Sequence, residues 1–202
     1  MKMLRYLRRF RDSEDGVISI ELLFAVPILL WTLISTIVYF DAYHAKAVST
    51  RAALTVADMI SREEQAITPD YLTGTREVLR ALSEVDNNPD FRLTVFRYRA
   101  AQDDFRRIWS RNRGLGPNLT NTDLENLRGR FPPMANGDRA ILLETRTNYQ
   151  APMKAGIMGP FPTQELENVD FETFTIIKPR YTGDRFCWDP TPEAQDSGDE
   201  RC

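Results

Sequence analysis

One carboxylate stands where carboxylates are costly. Glu21 is the sole charged side chain in the apolar run GVISIELLFAVPILLWTLISTIVYF, which starts at Gly16. On membrane-insertion scales a charge within such a helix costs about 2.5–3.5 kcal/mol, so insertion alone does not ask for it. Paired with a cationic amine on a neighbouring helix, the same group offsets the cost of burying both charges and fixes axial register. Gly16 has no side chain and lets the backbone lie extended in a peptidase cleft. Cutting after it would free an α-amine on Val17. The chemistry these residues offer is proteolytic processing and charge pairing.

Other chemistry is sparse. His44 is the single histidine, so a Ser/His/Asp or Cys/His site would depend on one imidazole placed next to the apolar run. There is no P-loop, glycine-rich dinucleotide turn, H-E-x-x-H or C-x-x-C. The expectation is a protein that is not an enzyme and takes no cofactor or metal. Two cysteines, Cys187 and Cys202, are present. They suit a disulfide in an oxidising compartment, where closing a loop of about 15 residues stabilises by roughly 3 kcal/mol; free or intermolecular thiols fit the spacing as well.

The element that must position Glu21 is residues 17–40. At about 1.5 Å per residue a helix of that length reaches roughly 36 Å, enough to cross a hydrocarbon core of about 30 Å with some tilt. Lys2, Arg5, Arg8, Arg9 and Arg11 precede it, followed by Asp12, Glu14 and Asp15. A basic flank ahead of a first span stays cytoplasmic, which sends residues 41–202 outward. Two other readings compete: an uncleaved signal anchor with Glu21 snorkelling to the interface, and a secretory signal cut after Ala45-Lys46-Ala47, whose apolar core is too long for that class.

The basic leader, Gly16, Glu21 five positions on, and the helix starting at once resemble the class III signal of type IV pilins and pseudopilins. Pro27, six residues after Glu21, gives E-L-L-F-A-V-P, which is similar to the start of TadE-like pseudopilins of the tight adherence (Flp, type IVb) pilus system. Type IVa pilins and type II secretion pseudopilins carry Phe where this chain has Val17, and major Flp pilins are shorter with Tyr at the position of Leu22. The resemblance covers about the first 60 residues. It implies cleavage between Gly16 and Val17 by a prepilin peptidase, and pairing of Glu21 with a neighbouring subunit's N-terminal amine. It further implies a minor pseudopilin acting in Flp pilus assembly for surface adhesion and biofilm formation. Its partners would be the major Flp pilin, other pseudopilins, the inner-membrane assembly platform and membrane lipid. It would sit in the bacterial inner membrane with a periplasmic head, or enter the pilus. An uncleaved, signal-anchored periplasmic binding or scaffold protein is the alternative.

Of the 26 basic and 29 acidic residues, the first 16 positions hold five and three, leaving 21 against 26, a net −5 without the leader. No basic excess points to nucleic acid. The fold class expected is α+β, divided into a leader (1–16), a transmembrane helix (17–40), a periplasmic head (41–186) and an acidic, disordered tail (187–202). The first helix continues past the span, kinked near Pro27, with a stripe of Ala45, Val48, Ala52, Val56, Met59 and Ile60. A second helix over 69–85 starts at the cap Thr68-Pro69-Asp70 and buries Leu72, Val78, Leu79 and Leu82. Three strands, 91–100, 139–149 and 169–181, form an antiparallel sheet packed from one side. Their alternation slips at Val95-Phe96 and Thr173-Phe174, which leaves room for bulges or a two-sided core. A short helix over 122–129 lies between the first two. Residues 106–118 read as a loop with Arg106, Arg107, Arg111 and Arg113 around Trp109. It is either a candidate interface or a solvated loop with Trp109 tucked into the core. Residues 150–163 read as a second contact surface or a loop over the head's own core.

Overall fold

The computed structural model describes residues 17–85, 87–150, 168–180, 187 and 188, with the backbone alone for 17–19 and 168. The leader with Gly16, residues 150–163 beyond Gln150, and the tail past Trp188 lie outside them. The architecture is α+β: α1 (Val17–Ser61), α2 (Pro69–Ser83), β1 (Asp90–Arg99), β2 (Asp104–Arg113), α3 (Asn121–Asn126), a 3₁₀ turn (Arg128–Arg130), β3 (Arg139–Gln150) and β4 (Asn168–Ile177). Two compact units divide the chain, 1–42 with 151–167 and 43–150 with 168–202.

In the first unit the described residues are the opening turns of α1. They are mostly apolar, and Ile20, Leu23, Phe24, Leu29 and Phe40 are 60–75% exposed, whereas Ser35, Val38 and Ala42 towards the end of the stretch are buried. Thr32 and Thr36 sit in this stretch without unsatisfied hydroxyls because each Oγ1 donates to the carbonyl four residues back, at 2.8 Å. Pro27 lies inside the helix, which runs on through it. Pro27 lacks an N–H, so the carbonyl of Leu23 has no helical donor there.

The second unit is organised around an antiparallel sheet in the order β2-β1-β3-β4. It has four strands where three were expected. The strand that sequence reasoning missed is β2, which turns the first half of the 106–118 loop into a sheet edge. A register shift between Val95 and Phe96 is the reason. Val95 pairs with Trp109 and Phe96 with Arg107, so Ile108 is an extra residue and Ile108 and Trp109 join the same core cluster. Such a bulge breaks the period-2 pattern by which strands are recognised.

Both faces of the sheet are covered, not one. On the first, Phe91, Leu93, Val95, Ile108, Trp109, Ile141 and Leu143 pack with Ala52, Val56, Ala57 and Ile60 of α1 and Leu72 and Leu79 of α2. The stripe on α1 is narrower in side-chain size than expected. Ser49, Ala53 and Ala57 are buried, whereas Met59 points outward. Ser49 and Thr147 share a 2.6 Å hydroxyl bond that ties α1 to β3. On the other face Phe96, Phe105, Leu119, Leu124, Ala140 and Leu142 form a second core with Phe131 and Phe174. Phe131 lies 4.8 Å from Phe96 and 4.9 Å from Phe105, ring centre to ring centre.

α2 ends two residues early because Glu84 takes a left-handed conformation (φ 54°). Tyr71 N donates to Thr68 Oγ1, as the cap predicts. Its buried face is Leu72, Thr75, Leu79 and Ser83; Val78 and Leu82, expected inside, lie on the flank and are exposed. The helix expected over 122–129 divides into α3 and the 3₁₀ turn, α3 being started by a Thr120–Asp123 capping box. β3 and β4 end within a few residues of expectation, at Gln150 and Ile177.

Residues 187 and 188, expected in the tail, are buried. Trp188 is buried, its ring centre 5.8 Å from that of Trp109, and Ile67 N donates to the Cys187 carbonyl at 2.9 Å. These two residues belong to the core because the large apolar area of the indole packs against Trp109 of β2 while the backbone pairs with Ile67.

Candidate functional site

Glu21 sits in the first turns of α1 with an exposed side chain, flanked by the exposed Ile20, Leu22, Leu23 and Phe24. Helical spacing puts Phe24 and Ala25 on its face, three and four residues on. A lone carboxylate is therefore presented laterally from an apolar cylinder, open to a group from outside the chain. One helix of this chain, among the described residues, is long and apolar enough to cross a membrane, and it is this one, near the N terminus. Val17 is helical in its backbone from the first described residue. His44 is on the same helix, exposed. Among the described residues no three His, Cys, Asp or Glu side chains gather as metal ligands would.

The arginine and tryptophan group on 106–113 is not an exposed loop. Trp109 is fully buried, so it cannot serve as a surface anchor. The β2 edge is occupied in part: Phe105 N donates to Glu125 Oε1 and Arg107 N to Asn121 Oδ1, both from α3. The arginines make contacts inside the unit. Arg107 Nη1 donates to the Leu119 carbonyl, Arg113 Nη2 to the Pro69 carbonyl, and Arg111 lies 4.4 Å from the centre of the Trp188 ring. Arg106 is on the same strand, paired with Arg97. Gly114, after β2, has φ +94°, and a Cβ there would meet Asp90 Oδ1 at 2.0 Å, so glycine is required where Asp90 binds Arg76.

Cys187 is disulfide-bonded; Cys202 lies outside the described residues.

A feature that sequence reasoning did not single out lies on the second face of the sheet. Arg92, Leu115, Arg130, Glu144, Arg146 and Glu172 are among the residues around a cleft of about 310 Å³. Arg92 Nε and Nη2 bind Glu144 Oε2 and Oε1 at 2.7 and 2.9 Å, a fork-to-carboxylate pair only 13% and 15% exposed. The two residues are 52 apart in sequence, and only the strand register of β1 against β3 places them opposite each other.

Electrostatics elsewhere in the head follow local pairing. Tyr98 Oη and Arg128 hydrogen-bond to the Asp103 carboxylate and hold its pKa below the usual range. Arg99 does the same for Asp104, and Lys178 with the Ala135 N–H for Asp138. Burial first, and the Glu63 carboxylate second, push the Tyr71 hydroxyl up to about 12. Comparison with family models, curated proteins and solved structures finds no match to this chain.

Proposed function

We propose that this chain is a minor pseudopilin of TadE-like type, a non-catalytic subunit that assists assembly of Flp-type pili in surface adhesion and biofilm formation. The observation that carries the reading is Glu21, the one charge in an apolar helix that begins directly after a basic leader and Gly16. Its exposure on α1 supports it, since a carboxylate that pairs with another subunit must not be engaged by its own chain. In this reading residues 17–40 cross the inner membrane and the α+β unit faces the periplasm, in keeping with the disulfide at Cys187. A prepilin peptidase removes residues 1–16. The freed Val17 amine and Glu21 of adjacent subunits then pair as helices pack laterally, with the major pilin, other pseudopilins and the assembly platform as partners.

The test is the N terminus of the protein isolated from its membranes, read by intact mass and peptide mapping. A start at Val17 is expected. A retained leader in cells with active prepilin peptidase would overturn the proposal and leave an uncleaved anchored scaffold. Glu21→Ala should then abolish the subunit's contribution to piliation while leaving its membrane level unchanged.

A further inference from the structure

The cleft on the second face of the sheet has a charge balance that its own residues do not complete. Three guanidinium groups line it, from Arg92, Arg130 and Arg146, against the two carboxylates of Glu144 and Glu172. Arg92 and Glu144 satisfy each other, and the remaining Arg92 donor, Nη1, reaches the Pro117 carbonyl at 2.8 Å. That pair is a neutral floor. Arg146 places both Nε and Nη2 on one oxygen, Glu172 Oε1, at 3.1 and 3.0 Å, and among the described residues its Nη1 has no acceptor.

Arg130 is the surplus cation. Its guanidinium lies 3.6 Å from the centre of the Phe174 ring, and among the described residues no hydrogen-bond acceptor meets it. At that separation the planar group rests on the ring face, which leaves its N–H donors at the rim. Phe174 is itself fixed, stacked with Phe131 at 6.4 Å and 13° between planes. The aromatic core therefore holds Arg130 in place. Arg130 is otherwise exposed, and the ring contact offsets part of the roughly 2 kcal/mol of rotamer freedom that a long side chain loses on being fixed. A cavity of this size is in the range that takes small ligands or a side chain.

We propose that this cleft binds an oxyanion, a carboxylate or phosphate group, received by the free donors of Arg130 and Arg146. A carboxylate or a singly charged phosphate would bring the lining from a net charge of one positive to neutral. Glu172 is the group that opposes it; with a side chain 66% exposed, it can turn outward when the anion takes its place on Arg146. This inference goes beyond the pseudopilin reading and does not depend on cleavage after Gly16.

The test is calorimetric titration of the full chain in alkyl maltoside micelles, which carry no phosphate, at constant ionic strength. Sodium phosphate is one titrant and N-acetyl-Glu-Glu-amide the other, with sodium chloride as control. Saturable binding of phosphate or of the peptide, but not of chloride, is expected, and which of the two binds tells whether the natural group is phosphate-like or a protein side chain. Arg130→Gln should weaken binding about tenfold or more, since hydrogen bonds to charged groups contribute that much. Glu172→Gln should strengthen it, an outcome that a general loss of structure would not produce. Absence of binding to both titrants, chloride binding of equal strength, or affinities unaltered in Arg130→Gln would overturn the proposal.

Discussion

Residues 20–40 and residues 43–61 of α1 are both helical, yet they meet different demands. In the first stretch large apolar side chains face outward, among them Leu22, Leu23, Ile28, Leu33 and Ile37, and only Ser35 and Val38, near its end, are buried. In the second, one face is buried and composed of small residues, Ser49, Ala52, Ala53, Val56 and Ala57, and the opposite face carries Arg51, Leu54 and Thr55, all exposed. A core-facing helix needs shape as well as apolarity, and alanine and serine let a sheet approach closely. Residues 20–33, apolar and with none buried, need only a hydrocarbon environment or other helices around them. The two stretches draw on different residues, and the expectation is that each can be perturbed without the other.

The largest separation should come from Trp109, fully buried between α1, α2 and the sheet. Trp109→Ala should destabilise the head by about 3–5 kcal/mol in denaturant titration of the full chain, followed by near-UV circular dichroism. Phe24→Ala, at a residue 68% exposed, should leave that midpoint unchanged. Equal losses would show that the two stretches are not independent. Next comes the buried Arg92–Glu144 pair. Arg92→Ala leaves Glu144 unpaired at 15% exposure and should cost about 3 kcal/mol, whereas replacing both residues with apolar ones should recover most of it. Thermal midpoints of the single and double variants check this.

Much of this architecture was legible in the residues. The apolar run, the Thr68 cap, the α+β class and three strands follow from periodicity and turn chemistry, and each depends on neighbours in sequence. What escaped depends on partners distant in sequence. β2 reads as a charged loop because Ile108 breaks its alternation and because its arginines are satisfied by Leu119 and Pro69 carbonyls. The flank position of Val78 and Leu82 is decided by where the sheet lies, not by helical spacing. Trp188 escaped because an acidic, proline-containing segment follows it, and its place against Trp109 is a tertiary contact. The cleft was invisible for the same reason: Arg92, Arg130, Arg146 and Glu172 belong to four separate elements. Glu21, in contrast, was found by composition alone, because one charge in an apolar run needs no fold to be conspicuous.

A smaller effect sharpens the comparison on α1 itself. Ala57 is fully buried in the seam, and Ala57→Leu inserts three carbons into a packed interface, which should cost about 1–3 kcal/mol. The mirror change in the first stretch, Leu29→Ala, removes volume from an exposed position and should not move the head's denaturation midpoint. If Ala57→Leu were tolerated at no cost, the small-residue seam would not be what sets the distance between helix and sheet.

The smallest effect is the response to pH, and its sign follows from the pairings in the head. Asp103, Asp104 and Asp138 have pKa values held below the ordinary 3.8 by hydrogen bonds and nearby cations. A group depressed in the folded state stabilises it above the unfolded pKa, and that contribution fades as pH falls through the folded one. The thermal midpoint should therefore be level through neutral pH and decline below about pH 4, by a modest amount because these carboxylates are solvent-screened and their pairs are surface pairs. Tyr71 acts at the other end. Its pKa is raised from 10.0 to about 12, so the folded state favours the neutral phenol, and the benefit is present below pH 10 and lost as pH climbs towards 12. Tyr71→Phe should flatten the alkaline limb and leave the acid limb as it was. Both limbs belong to the head. At acid pH the near-UV aromatic signal, dominated by Trp109 and Trp188 in one core, should fade before the far-UV helical signal does, because the apolar stretch of α1 needs none of these pairings to stay helical in a micelle. Simultaneous loss of the two signals would mean that the helix depends on the head along its whole length.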